Sequence, residues 1–151
     1  MKTRSERENK SWKQAEKFPV LLLCVLLLCL TVANGSAQTY TILHHFDGAN
    51  GWDPVGDLTA SGTTLFGTTY WGGAGYGNSG AGTVFKISLD GSGFTVLKRF
   101  IQNDRAGSNP GARLLLVDTM LYGTTSSGGI SNRGTVFKLS TDGSAFNVLK
   151  E

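Results

Sequence analysis

Leu65-Phe66-Gly67-Thr68-Thr69, Gly72-Gly73, Gly82-Thr83-Val84-Phe85-Lys86-Ile87-Ser88 and Asp90-Gly91-Ser92 with Phe94 decide the fold, because they occur twice. They return as Leu121-Tyr122-Gly123-Thr124-Thr125, Gly128-Gly129, Gly134-Thr135-Val136-Phe137-Lys138-Leu139-Ser140 and Asp142-Gly143-Ser144 with Phe146. A tandem repeat of this length, built from short β-patterned runs, predicts small sheets packed side by side. Matched blocks are 56 residues apart at Gly67 and Gly123 but 52 apart at Phe85 and Phe137. The slack falls in loops, as expected of a shared unit with free surface connections.

Four runs recur per unit, separated by glycine or Asp-Gly, and no window has helical spacing. The first is Tyr40 to Phe46, matched by Phe94 to Phe100. The second is Asp57 to Ala60, matched by Arg113 to Val117, each after a proline, Pro54 or Pro110. The third and fourth are Leu65 to Thr69 and Thr83 to Ser88, matched by Leu121 to Thr125 and Thr135 to Ser140. Phe85 and Ile87 alternate with Lys86, and Phe137 and Leu139 with Lys138, so one face is expected inside and the lysines in solvent. Asp90-Gly91 and Asp142-Gly143 between β runs predict type I′ hairpins.

The expected fold class is all-β: tandem four-stranded antiparallel units resembling β-propeller blades of the kelch size. The units are drawn at residues 38–93 and 94–145, with 146–151 starting a third. Phe146-Asn147-Val148-Leu149-Lys150 copies Phe94-Thr95-Val96-Leu97-Lys98, and the sequence stops where the earlier copy continues into Arg99-Phe100. An incomplete propeller, a fragment ending in mid-strand, is therefore expected, since closed propellers need about four or more blades.

Residues 1–37 read as an export signal. Six Lys/Arg precede the 15-residue apolar run Phe18 to Val32, and Gly35-Ser36-Ala37 supplies small residues for cleavage between Ala37 and Gln38, with Ala33 the second choice. A membrane anchor would need roughly 20 apolar residues. Cys24 and Cys29 follow leucines, where a lipoprotein signal would place a small residue. Six of the 14 basic and three of the 11 acidic residues lie in this leader, leaving eight of each. The mature part is thus neutral, with no electrostatic case for nucleic acid or anionic lipid as a partner. It has no cysteine, which excludes disulfides, Cys-ligated zinc and a Cys nucleophile. Its 20 glycines in 114 residues signal tight turns.

The string Leu-Tyr-Gly-Thr-Thr, Gly-Gly, Gly-Thr-Val-Phe-Lys-Leu, Asp-Gly resembles the GloVer tandem repeat, the unit of bacterial exported choice-of-anchor proteins, over nearly all of the mature chain. The resemblance implies a secreted or cell-surface protein, propeller-like, whose relatives often end in a sorting anchor. It implies no catalytic or binding residues. Family members usually carry more units, and no anchor segment occurs here, both of which fit a fragment.

Several candidate sites fall to commoner readings. His44 and His45 are adjacent on an expected strand, so they point to opposite faces and do not converge on a metal. Gly75, Gly77 and Gly80 satisfy G-x-G-x-x-G, but a β run rather than a helix follows. Asp47, Asn50 and Asp53 lack the alternating spacing of a calcium loop, and Asx residues in loops usually bond their own backbone. No G-x-S-x-G occurs, and nothing selects an acid pair among the eight carboxylates.

One loop stands apart: Tyr70, Trp71, Tyr76 and Asn78 in the first unit, against Ser126, Ser127, Ile130 and Asn132 in the second. Exposed rings on a glycine-rich loop make flat platforms for the C–H faces of sugars, while amides satisfy hydroxyls. The alternative is that the rings cover a blade edge. The expected function is a non-enzymatic exported scaffold with an unknown protein or glycan ligand, no cofactor and no metal. Its alternatives are a carbohydrate-binding module at this loop and, more weakly, a propeller hydrolase or lyase. Two units alone leave faces and edges open, so residues 38–151 are expected to self-associate.

Overall fold

The structure, a computed structural model, describes residues 38–73 and 80–151. They are all-β: eight strands in two four-stranded antiparallel sheets, each ordered as a meander. The first sheet comprises β1 (Thr59–Ser61), β2 (Thr64–Thr69), β3 (Gly80–Ser88) and β4 (Thr95–Ile101). The second comprises β5 (Leu115–Val117), β6 (Met120–Thr124), β7 (Val136–Ser140) and β8 (Phe146–Lys150). Both are propeller-like, blade-shaped units, as expected. The expected leader and its Ala37 cleavage position lie outside the described residues.

Each blade takes its fourth strand from the start of what the sequence marks as the next unit. Thus β4 pairs with β3 through Phe85 opposite Val96, and β8 pairs with β7 through Phe137 opposite Val148. Tyr40 to Phe46, expected as a strand, is not one here. No described strand lies beside it, so its backbone has no ladder to join.

Central positions are set by one cross-strand pairing in each blade. Gly67 lies opposite Phe85, and Gly123 opposite Phe137. A β-carbon at Gly67 would strike the Phe85 ring and Leu58, and one at Gly123 the Phe137 ring and Leu114. The glycine therefore lets an aromatic ring from the neighbouring strand lie across the backbone, under a leucine from the preceding loop. Thr69 and Thr83, two residues further along, share a hydroxyl hydrogen bond of 2.9 Å, and Thr125 and Thr135 one of 3.0 Å.

Burial reports how the blades stack. In β2 and β3, Phe66, Thr68 and Val84 on one face and Gly67, Phe85 and Ile87 on the other are all buried. In β6 and β7 only one face is: Leu121, Gly123, Phe137 and Leu139 are buried, while Val136 is 39% exposed. The buried face of the second blade meets Phe66, Val84 and Phe100 of the first in a single core with Leu114. Removing such side chains from water stabilises by about 1.5–3 kcal/mol each. The opposite face of the second blade has no cover among the described residues.

The Asp-Gly turns differ from expectation. Gly91 and Gly143 have φ of 84° and 82°, but neither Asp90 nor Asp142 has positive φ, so these are not type I′ turns. Gly91 N–H donates to the Ser88 carbonyl at 2.9 Å, and Gly143 N–H to that of Ser140 at 2.9 Å. The connections are longer than two residues because each aspartate is occupied locally. Asp90 Oδ1 accepts from Ser92 N–H at 2.9 Å, and Asp142 Oδ1 from Ser144 N–H at 2.9 Å, as in Asx turns.

Candidate functional site

At one end of the first blade, the loop after β2 meets the loop before Pro54. Trp52 and Trp71 form an antiparallel bridge, Trp52 N–H donating to the Trp71 carbonyl at 2.8 Å and Trp71 N–H to that of Trp52 at 3.0 Å. Directly opposed residues in such a pair project from the same side of the ribbon. Trp52 is 50% and Trp71 37% exposed, so two indoles stand in partial contact with water at one edge. Trp52 is absent from the sequence-derived site. The signal was available in the aligned positions, where Trp52 and Trp71 of one unit face Ser108 and Ser127 of the other, bridged in the same way.

Tyr70 holds the platform in place from below. Its ring packs edge to face on Trp71, with centroids 5.1 Å apart, and lies over Gly111. Its hydroxyl is 3.2 Å from Ser126 Oγ, and its carbonyl accepts from Asn109 Nδ2 at 3.0 Å. Asn109 N–H also donates to the Ala81 carbonyl at 2.7 Å. Tyr70 is therefore half-buried in the joint between blades, while Trp71 reaches outward. Tyr76 and Asn78 lie outside the described residues.

The other sequence candidates have local roles. Asp47 and Asn50 close their loop reciprocally, Asn50 N–H donating to Asp47 Oδ1 at 3.0 Å and Asp47 N–H to Asn50 Oδ1 at 3.2 Å. His44 is half-buried and stacks on Phe94 with centroids 3.7 Å apart, and its Nε2 lies 3.1 Å from Asn50 Nδ2. His45 is exposed. Among the described residues no group of three His, Cys, Asp or Glu side chains is placed to hold a metal ion. Between the far ends of the blades lies an open cleft of about 530 Å³, lined among others by Ser61, Lys86, Asp118 and Asp142. Asp142 there is held down to about 2 by hydrogen bonds from the Ser140 hydroxyl, then Ser144 N–H and hydroxyl. Such an anion is occupied by its own turn.

What this arrangement offers is a shaped, partly apolar surface. A rigid edge of aromatic rings can bind a flat apolar face, and the hydroxyls beside it can orient what binds.

The repeated blade defines the class. A family model described as the Gloeobacter/Verrucomicrobia repeat matches residues 30–151, and the chain belongs to that family. Among curated proteins nothing matches the chain.

Proposed function

We propose that the chain is a non-enzymatic exported scaffold at or beyond the cell surface, which presents variable loops on stacked rigid sheets. One observation carries this reading: the joint geometry repeats while the loops do not. Phe46 lies 5.3 Å from Phe85 and Phe100 lies 5.4 Å from Phe137; Phe85 lies 5.5 Å from Phe94 and Phe137 5.5 Å from Phe146. The loops around this frame carry Trp52 and Trp71 in one blade and Ser108 and Ser127 in the other. A constant frame with changing loops suits recognition, with specificity in the loops. The partner is a protein or glycan, and the neutral mature part is expected to bind neither nucleic acid nor membrane. Turnover of any polysaccharide or ester by the full chain would overturn this reading.

A second reading, carbohydrate binding, is favoured by the Trp52–Trp71 pair and the ring of Tyr70 beside it. It expects Trp71→Ala to abolish retention in glycan affinity electrophoresis while leaving the thermal midpoint unchanged. Wild-type chain that is not retarded by any glycan would end it.

A further inference from the structure

Thr41 to Phe46 occupies the seat of a fourth strand without being paired as one. Residue by residue, Thr41-Ile42-Leu43-His44-His45-Phe46 corresponds to Thr95-Val96-Leu97-Lys98-Arg99-Phe100 of β4. The two segments sit alike on the blade that follows them. Phe46 is 5.9 Å from Phe94, as Phe100 is 6.0 Å from Phe146. The Leu43 carbonyl lies against Gly91 as that of Leu97 lies against Gly143. His44 stacks on Phe94, and Lys98 Nζ stands 4.4 Å over the Phe146 ring.

On its other side, β4 pairs with β3 while Thr41–Phe46 faces no described strand. The contrast shows in one side chain. Val96, opposite Phe85, is half-buried, whereas Ile42, its counterpart, is 53% exposed. Asp53 and Pro54 are exposed as well, while their counterparts Asn109 and Pro110 are buried against the first blade. A segment held in this seat, with its outer backbone groups unpaired among the described residues, is a template for strand addition.

We propose that Thr41–Phe46 is the outer strand of a blade whose other three strands come from a further unit of the same repeat, one that lacks a fourth strand of its own. The occupant is defined by its third strand, of the Thr-Val-Phe-Lys type of β3 and β7. The register is set by the two sheets present. Thr41 lies opposite the lysine and Ile42 opposite the phenylalanine; Leu43 is bulged, and His44 lies opposite the valine, as Thr95, Val96, Leu97 and Lys98 do on β3. Main-chain hydrogen bonds supply affinity, and the Ile42–Phe contact with the bulge at Leu43 supplies register.

The test is hydrogen exchange at the amides of residues 41–46 in the full chain, with two added peptides. One spans residues 111–145, three strands without β8, and the other spans 111–151 and carries β8. The three-stranded peptide is expected to slow exchange in 41–46 by at least about tenfold and the four-stranded one to leave it unchanged. Equal slowing with both overturns the proposal. Because the free peptide need not fold, a second format joins residues 111–145 directly ahead of Tyr40, which aligns with Phe146. Amides of 41–46 should then exchange as slowly as those of β4. Fast exchange in that fused chain overturns the proposal whatever the free peptide does, and leaves the scaffold reading to the turnover assays.

Discussion

Gly134 has φ of 93° and follows the loop after β6, with the Thr125 carbonyl oxygen where a β-carbon would stand. Gly82 repeats this against the Thr69 carbonyl, at φ of 97°. Gly134→Ala therefore combines left-handed strain with a backbone clash that no rotamer change relieves. A loss of about 2–4 kcal/mol in chemical denaturation is expected. Gly48→Ala, at φ of 84° with nothing within 4 Å, isolates the strain alone and should cost about 1–2 kcal/mol. Equal losses at the two sites would mean that the carbonyl contact is absent. A second residue-scale effect is set by Asp142, held at about 2 by the Ser140 hydroxyl first, against an ordinary 3.8. Asp90 is lowered in the same direction by Ser92. A carboxyl more acidic in the folded than in the unfolded chain stabilises above the unfolded value, and that contribution is lost as pH falls through the folded one. The loss from Asp142 thus lies between about pH 4 and pH 2. Asp142→Asn should flatten the acid limb of the stability profile in that window, measured by thermal unfolding; an unchanged limb would show that the turn hydrogen bonds do not persist in solution.

Between elements, the decisive contact is the Asn109 clasp. Its N–H reaches the Ala81 carbonyl and its Nδ2 the Tyr70 carbonyl, binding the loop before β5 to the first blade. Asn109 and its counterpart Asp53 both have φ of 60°, so this backbone accepts either side chain. Asn109→Asp keeps shape and conformation but turns a donor into a carboxylate facing a carbonyl oxygen. The expected cost is about 1–3 kcal/mol, read from the urea midpoint. No change would mean that the amide does not bridge the blades. These relations mark what sequence could and could not convey. Strand positions were legible because Leu65-Phe66-Gly67 and Val84-Phe85-Lys86 recur as short β-patterned runs bounded by glycine, and the loops were legible as the places where the two copies diverge. The phase of the sheets was not, because Phe94 to Phe100 carries contacts to two blades: its backbone pairs with β3 while Phe100 packs on Phe137 and Phe146. A linear repeat cannot say which neighbour takes the backbone. The Asp-Gly turn was misread because the serine two residues on captures the aspartate, a side-chain preference that a dipeptide rule omits. Of the candidate site, Trp71 was legible as an outward ring; the burial of Tyr70 depended on Gly111 and Ser126, more than 40 residues away in sequence.

At the scale of the whole molecule, the second blade sets up the last prediction. Its outer face carries Leu115, 63% exposed, with Val136 and Tyr122 beside it. The matching positions of the first blade, Thr59, Val84 and Phe66, are buried by the blade that follows. Same-face residues of the two units thus differ in exposure, with a neighbouring sheet on the first and none among the described residues on the second. Apolar sheet face left in water drives association, and the edge of Thr41–Phe46, unpaired among the described residues, adds a second route to it. Residues 38–151 are expected to self-associate with rising concentration in sedimentation velocity. Paired charges at the face, Leu115→Lys with Val136→Glu, should shift the distribution toward monomer while leaving the thermal midpoint nearly unchanged, since neither side chain is in the core between the blades. If the doubly charged chain associates as strongly as the wild type, the contact lies elsewhere, and the edge at Thr41–Phe46 becomes the element that drives it. If the wild type is instead a monomer at all concentrations, this face is satisfied by water alone, and blade stacking is not what the outer face of the second sheet is shaped for.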